Sequence, residues 1–460
     1  MNKKVLIGIL AVVVIVAGVV GYSMMNKDVI KDPVKHIMAG AWNANTQSNI
    51  NADVAVKVQL DEKIAVEQNI FEQYTSDSAA MAKYANTLLD KLALMYKVNV
   101  ISNDSEDLFK MDAGIGLYYN KKAILDGTFY AKPWEIGFVM PKLTEKTLSF
   151  DLQQVLQDEG IDFPIKDINL KEYLDVLSKK DDLYNEVAKN SKTYSDVIYN
   201  YLQGKVEKLD NDTITVDVYG KEKNVKVTKY KVNVEILDIY DVYAKLIEVA
   251  KDDKAVKALV KARINDLEKL VLENKDYEKF DITENEFKEG MKEIENSIDT
   301  EWDKALEELL KELKEISMLP KNNEELEKMS SDIIVSIDND NMMRQVELDM
   351  QIEMVKVKEI FTINAFGEDV KVDIKDDANN KINIMDLENN ESLTQELTNE
   401  VIKNLGEILG GEAIEEIVKD IKEESKILPK EESDTIINSV DMYFAQMKLM
   451  LPFMLQGMGM

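Results

Sequence analysis

The feature that most constrains this chain is an uncharged apolar run close to its amino terminus. Val5–Tyr22 reads VLIGILAVVVIVAGVVGY, and Lys3 and Lys4 precede it. In a helix this run would be about 27 Å long, close to the ~30 Å hydrocarbon core of a bilayer. Lysines before such a run favour a cytoplasmic amino terminus. The sequence therefore predicts one transmembrane helix, with the rest of the chain on the outer side of the cell membrane.

A cleaved signal peptide is the alternative interpretation of the same run, with Val19 and Gly21 as the small residues before the cut. Secretory apolar regions usually span only ~7–15 residues, so a retained signal anchor is favoured. No cysteine follows the run, which excludes a bacterial lipoprotein anchor. Under either interpretation the bulk of the chain leaves the cytoplasm, and the membrane is a partner through Val5–Tyr22.

The composition excludes several classes of function. The 460 residues include 87 acidic and 57 basic side chains, giving a net charge of −30, with no cysteine and one histidine. A chain this acidic repels nucleic acid, so we predict no nucleic-acid partner. Without cysteine there are no disulfides, thiolate nucleophiles or cysteine-based metal sites. One histidine leaves most Ser-His-Asp and His-metal sites without candidates. We predict no metal, no cofactor and no enzymatic activity.

The hydrophobic pattern after the run alternates between strands and helices. Apolar residues recur with a period of two in 50–60, 92–101, 109–119 and 333–374, as in half-buried strands. Between Phe287 and Ile316 they recur every three or four residues, as in an amphipathic helix with a strongly acidic outer face. We predict an α+β fold of curved antiparallel sheets packed on long helices, preceded by the N-terminal transmembrane helix.

The same pattern suggests a division of the chain into contiguous segments. They are a cytoplasmic start and anchor (1–25), a juxtamembrane stalk (26–46), a first α+β lobe (47–238), an acidic helical hairpin (239–320) and a second lobe with a strand meander and a Met-rich C-terminal helix (321–460).

Two polar features were considered as sites. His36 has no cysteine or histidine partner, so a solvated or locally packed imidazole is favoured over a metal ligand. The turns Asp210–Asp212 and Asp338–Asn341 contain oxygen ligands suited to calcium. The second turn has Met343 where a calcium loop needs glycine, and strand-forming residues directly follow the first. Hairpin turns are therefore the favoured interpretation of both.

The carboxyl terminus is rich in methionine, a flexible residue common at adaptable apolar surfaces. Three interpretations stay open for this helix: a core element, the lining of an apolar cavity, or a contact with the membrane or another protein. Pro452 is expected to kink or end it. If it binds a ligand, the candidate apolar lining is Tyr443, Met447, Met450, Leu451 and Met454.

The layout resembles uncharacterised membrane-anchored extracytoplasmic proteins of clostridia and related Gram-positive bacteria. The residues that carry the resemblance are the Lys-rich start, the valine-rich span, the Glu/Lys helices and the strands NINADVAVKVQLDE and SDIIVSIDNDNMMRQVELDM. The style of strands and helices is also similar to the lipoprotein-carrier (LolA/LppX-like) fold, which implies a curved sheet around an apolar hollow.

Together these features predict a membrane-anchored extracellular protein, not an enzyme, that binds an apolar or amphipathic envelope ligand. Its further partner would be a lipid or an envelope protein. The first alternative is a structural or protein-interaction component of the cell envelope that uses the acidic helical hairpin. The second alternative is an envelope hydrolase that works with carboxylates alone.

Overall fold

A computed structural model describes residues 31–47, 49–68, 70–72, 74–102, 109–152, 154, 168–317, 331–352, 354–367, 370–372, 374 and 380–457. The predicted transmembrane helix Val5–Tyr22 lies outside these residues. None of the helices within them is long and apolar enough to cross a bilayer.

The helices are α1 (Pro33–Asn45), α2 (Glu62–Glu67), α3 (Ser78–Leu89), α4 (Leu170–Leu177), α5 (Asp182–Lys189), α6 (Ser191–Leu202), α7 (Ile236–Asp252), α8 (Lys254–Asn274), α9 (Glu284–Ser317), α10 (Ile384–Asn389), α11 (Glu391–Ile408), α12 (Glu412–Glu424) and α13 (Lys430–Gly457), with 3-10 turns at Asp276–Phe280 and Ser425–Ile427. The strands are β1 (Asn49–Leu60), β2 (Leu92–Ser102), β3 (Phe109–Tyr119), β4 (Lys122–Lys132), β5 (Glu135–Val139), β6 (Thr147–Asp151), β7 (Val206–Val218), β8 (Lys221–Val234), β9 (Ser331–Asp338), β10 (Met343–Ile352), β11 (Val355–Phe366) and β12 (Lys381–Asn383).

The chain divides into two compact units, and each is discontinuous in sequence. Unit 1 combines Met1–Gln47 with Leu156–Val346, and unit 2 combines Ser48–Val155 with Glu347–Met460. The hydrophobic pattern predicts contiguous segments only. Strand pairing explains the difference, because β1 pairs with β11 about three hundred residues later, and hydrophobic periodicity carries no information about such partners.

Unit 1 contains an antiparallel sheet in which β8 lies between β7 and β9. Helix α1 packs on it, and Ile37 joins a buried cluster with Tyr230 and Ile337. Gly40 permits the close approach, since an added Cβ would lie 2.9 Å from Ile337. Residues 33–45 are therefore part of the core of unit 1, and the stalk predicted for 26–46 is wrong over this stretch. The periodic apolar face of α1 was the sequence signal for packing.

The helices of unit 1 form a second core. Trp302 and Ile298 of α9 are fully buried against Ile247 of α7 and Val256 of α8. This confirms that the apolar stripe of 287–316 is a core face. The predicted hairpin 239–320 is instead three helices, because the extended backbone at Asp253 separates α7 from α8 and its carboxylate caps α8.

Two polar turns of unit 1 have different outcomes. Asp338–Asn341 is the predicted turn. The Asp338 carboxylate accepts hydrogen bonds from the backbone N–H groups of Asp340 and Met342 and from Arg344 Nε at 2.6 Å. Residues 210–212 are not a turn, because β7 runs through them with a register shift between Lys208 and Asn211. A β-bulge takes up the one extra residue of β7 there.

Unit 2 is built on a larger sheet with the order β12-β6-β5-β4-β3-β2-β1-β11. Its neighbours from β6 to β11 are antiparallel, and β12 pairs with β6 in parallel. The hairpin from β3 to β4 turns at Asn120 and Lys121, which both have positive φ, as a two-residue hairpin turn requires. The pairing confirms the predicted α+β class with mostly antiparallel strands.

Helices α3 and α12 cover one face of the unit 2 sheet. Lys91 Nζ lies 3.0 Å from both Asp420 and Glu424 of α12. The buried Tyr119 hydroxyl donates to Asp420 at 3.0 Å. These contacts fix α12 to the start of β2 and the end of β3.

Two further strand expectations fail in unit 2. Strands β5 and β6 were not predicted, since each is only five residues long. The extended run expected at 370–374 is irregular at its described positions, 370–372 and 374. The apolar alternation there is short and is flanked by turn-forming residues. A run of that length does not distinguish a strand from an irregular segment.

Candidate functional site

A groove in unit 2 has a volume of about 810 Å³. Helices α11 and α12 form one wall, and β4 with the segment between β5 and β6 forms the other. We refer to this cavity as the unit 2 groove. Its lining residues are Lys122, Ala123, Ile124, Pro141, Lys142, Glu145, Glu400, Lys403, Asn404, Glu407, Ile408, Gly411, Glu412 and Ala413.

The two walls of the unit 2 groove are joined by polar contacts. Asn404 Nδ2 of α11 donates to the backbone oxygen of Leu143 at 2.8 Å. The backbone N–H of Glu145 donates to the Glu400 carboxylate at 3.2 Å. Because these bonds connect α11 to the segment between β5 and β6, the groove is held open by the fold of unit 2 itself.

The lysines of the unit 2 groove are held in ion pairs. Lys122 Nζ lies 2.8 Å from Glu416, which raises the pKa of Lys122 and lowers that of Glu416. Lys142 Nζ lies 3.2 Å from Asp126 and donates to the Ala123 backbone oxygen at 2.6 Å. The rim therefore carries fixed charges of both signs at neutral pH.

Between these charges the lining is apolar. Ala123, Ile124, Pro141 and Ile408 contribute side chains without hydrogen-bonding groups. A cavity with an apolar patch and a few positioned polar groups is the usual form of a small-molecule site. The alternation of apolar and charged lining suits a ligand that is itself amphipathic and carries both charges, rather than a hydrocarbon alone.

A smaller cavity of about 480 Å³ lies in unit 1 between α6 and α7. Its lining includes Tyr201, Lys245 and Glu248. Lys205 Nζ lies 4.4 Å from the centre of the Tyr201 ring, so a cation of the protein already occupies one face of that ring.

The predicted ligand-binding residues lie on α13, and Tyr443, Met447 and Met450 are not among the lining residues of either cavity. Tyr443, Met447 and Met450 are exposed. Leu451 and Met454 lie outside the residues whose side chains are described. Helix α13 extends to Gly457, so Pro452 does not end it. A ligand-binding role for these five residues stays a prediction.

The large exposed hydrophobic residues of α13 lie on one side of the helix, with the exposed Gln446 among them. Successive residues are about 100° apart around an α-helix, and the exposed set falls within an arc of about 160°. We refer to it as the outer face of α13; its members are Met442, Tyr443, Met447, Leu449 and Met450.

The sheet of unit 2 also contains a buried polar row. Asn51, Asn99 and Asp112 stand opposite one another on β1, β2 and β3, and all three are buried. Asn51 Nδ2 donates to Asn99, whose Nδ2 donates to Asp112, both at 2.5 Å. Side-chain bonds across neighbouring strands in a buried environment favour one strand register over its alternatives.

His36 is buried in unit 1, as the locally packed interpretation expected. Its Nδ1 lies 2.7 Å from the hydroxyl of Tyr230, and the two rings meet edge to face. Burial lowers the pKa of His36. Within the described ranges no three His, Cys, Asp or Glu residues are grouped as metal ligands would be.

Sequence reasoning missed the unit 2 groove. Its residues come from β4, the β5–β6 segment, α11 and α12, and no motif links them. The one local signal was the Gly410-Gly411 pair, which separates α11 from α12 and places both helix ends at the groove.

Comparisons with known proteins give little further information. No family model matches the chain, and no curated protein matches it. Among solved structures, the crystal structure of the lipoprotein LppX from Mycobacterium tuberculosis matches 75% of this chain and 99% of its own, with 9% identity and a TM-score of 0.25. LppX gives its name to one of the folds that the sequence resembles. At that TM-score the match supports no inference about activity, and the resemblance to clostridial proteins stays a prediction.

Proposed function

We propose that this chain is a membrane-anchored extracytoplasmic binding protein, not an enzyme, that holds a zwitterionic amphiphile in the unit 2 groove. The observation that carries the proposal is the groove itself, about 810 Å³ in volume, with charges of both signs around an apolar patch. Cavities of roughly 300–1,000 Å³ are typical of small-molecule sites.

The charges of the groove favour a head group that carries both signs. Lys122 and Lys142 are already paired with carboxylates. Glu145 adds an acid on the same wall, and Glu400 and Glu407 add acids on the opposite wall. A purely anionic head group would face repulsion from these acids, and a hydrocarbon would leave the charged groups without water. A zwitterionic head group with a short apolar part avoids both of these penalties.

The membrane location rests on the sequence. The run Val5–Tyr22 is uncharged and long enough to span the hydrocarbon core as a helix. Under this proposal the anchor keeps both units close to the lipids of the outer leaflet, which are the nearest source of amphiphiles.

The experiment uses the full chain in phosphatidylcholine nanodiscs and a photoactivatable lysophosphatidylcholine as the probe. After irradiation, cross-linked peptides are mapped by mass spectrometry. The proposal expects cross-links in the peptides that contain Ala123 and Ile408. Ile408→Glu should lower this labelling about tenfold, since burying one more acid against the apolar patch opposes binding by about 1.4 kcal/mol, which corresponds to that factor.

A matched control is Ile427→Glu, because Ile427 belongs to the same unit and is exposed outside the groove. It should leave the labelling unchanged. Ala123→Trp, which fills the groove without adding charge, should also abolish labelling. Equal labelling of the wild type and both groove variants would contradict the proposal.

The acidic α9 favours the alternative of a protein-interaction component. Its inner side is filled by the core of unit 1, and Glu289, Asp303 and Glu312 are among the acids exposed on its outer side. Such a surface suits a basic partner. Recovery of a specific envelope protein that is lost when these three acids are changed to glutamine would support this alternative. The carboxylate hydrolase stays a prediction, and a substrate screen without turnover would contradict it.

A further inference from the structure

The outer face of α13 is unusual for the surface of a soluble unit. Leu449 is 72% exposed and Tyr443 61% exposed. A surface helix normally turns its apolar side inward and its charges outward. Contiguous exposed apolar residues of this kind mark contact surfaces, whereas isolated ones need no explanation.

The two charged residues of the same helix segment lie on the opposite side of the helix from the outer face. Asp441 accepts from Lys422 of α12 at 2.7 Å, and Lys448 Nζ lies 2.9 Å from the position of a Cβ on Gly410. Both side chains remain exposed, whereas Val440 of the preceding turn is buried. The contacts of Asp441 and Lys448 with other residues of unit 2 leave the large apolar side chains of the outer face facing away from those contacts.

The shape of the outer face of α13 restricts what can cover it. A helix is convex, so it cannot enclose a small molecule as a cleft does. From Met442 to Met450 the described part of the face is about 12 Å long and about 10 Å wide. A second copy docking on this part alone would bury far less than the ~800 Å² per partner of a stable interface. Contact with a bilayer needs no such minimum area when an anchor already holds the chain beside the membrane, because the anchor makes the second contact intramolecular.

We propose that the outer face of α13 inserts into the interface of a lipid bilayer and gives the chain a second membrane contact. The inference rests on the proposed anchoring through Val5–Tyr22. Electrostatics select the lipid: from Met442 to Met460 the only charged side chain is Lys448, while the whole chain carries a net charge of −30. Contact therefore depends on apolar burial, and a zwitterionic surface is preferred because an anionic one repels the acidic units.

The absence of cysteine in the sequence gives a direct test. A Met450→Cys variant of the full chain, labelled with the fluorophore NBD, is reconstituted into phosphatidylcholine vesicles. The label should show blue-shifted emission, strong quenching by spin-labelled lipid and several-fold weaker quenching by aqueous iodide than in a Tyr74→Cys control. Tyr74 is 66% exposed in the same unit and lies outside α13.

Two changes sharpen the test. Met442→Glu with Met447→Glu should return the label at position 450 to water, and phosphatidylglycerol in the vesicles should weaken its insertion. A label that stays accessible to iodide while the chain floats with the vesicles overturns the inference and leaves the anchor intact. A label protected from iodide but not quenched by spin-labelled lipid overturns it in favour of a protein contact. A chain that does not float contradicts the anchoring and the second contact together.

Discussion

Gly137 of β5 is a position where a single added methyl group should strongly destabilise unit 2. It stands opposite Tyr130 of β4, and the Tyr130 ring lies over it. A Cβ on Gly137 would overlap Cε1, Cζ and Oη of that ring. Tyr130 is buried, and its hydroxyl donates to Glu135 at 2.7 Å. Gly137→Ala therefore forces the ring out of its site.

The magnitude follows from three contributions. Overpacking a buried site costs about 1–3 kcal/mol. Loss of the bond from the Tyr130 hydroxyl to a charged acceptor adds about 1.5–3 kcal/mol. Replacing glycine by alanine in a strand stabilises the folded state by about 0.5–1 kcal/mol, which partly offsets these losses. We expect Gly137→Ala to lower the free energy of unfolding by about 2–5 kcal/mol.

Gly114 of β3 provides the matched control. The nearest atom to an added Cβ there is 3.8 Å away, an ordinary contact. Gly114→Ala should therefore raise stability by about 0.5–1 kcal/mol. Urea unfolding, followed by hydrogen-exchange mass spectrometry on peptides of β3 to β6, measures both in unit 2.

A double-mutant cycle isolates the ring as the cause. In a Tyr130→Leu background the overlap is absent, so Gly137→Ala should have little effect there. The reasoning is refuted if Gly137→Ala leaves the stability of unit 2 unchanged, or if it has the same cost in both backgrounds.

Two further predictions concern charged and titratable groups. Burial lowers the pKa of His36, so the stability that the neutral imidazole contributes is complete above pH 6.5, the ordinary value, and is lost as the pH falls below it. As the only histidine, it gives one imidazole NMR signal, and a titration midpoint at or above 6.5 would contradict this. Lys91→Met leaves Asp420 and Glu424 without their shared cation and should lower the free energy of unfolding by about 1–3 kcal/mol. Urea unfolding measures this loss, with the exposed Lys426→Met as the control. An equal loss in both variants would contradict the prediction.

Strand positions were largely predictable because alternation is a local property. In β1, Val56 and Val58 alternate with Lys57 and Gln59, and the same period marked β2 and β3. The helix stripe through Trp302 was equally clear. Where the local signal was ambiguous, the prediction failed: Asp210–Asp212 has turn composition, yet the pairing of β7 with β8 holds it in a strand.

The candidate site could not be predicted in the same way. Ile408 and Ala123 lie almost three hundred residues apart, and nothing in either neighbourhood indicates that they face one cavity. The C-terminal helix shows a similar limit. Its spacing identified the apolar residues correctly, but the same spacing is expected of a core helix and of an exposed one.

The sequence by itself determined the net charge, the absence of cysteine chemistry, the uncharged amino-terminal run and most of the individual strands and helices. These follow from composition and from periods of two and 3.6 residues, which depend only on neighbours along the chain. Only the tertiary structure decided that α1 packs into unit 1, that Asn51, Asn99 and Asp112 form a buried row, and that Met442, Met447 and Met450 of α13 are exposed. The physical reason is that burial and pairing depend on which distant segments meet, and that choice is made by the free energy of the whole packed chain.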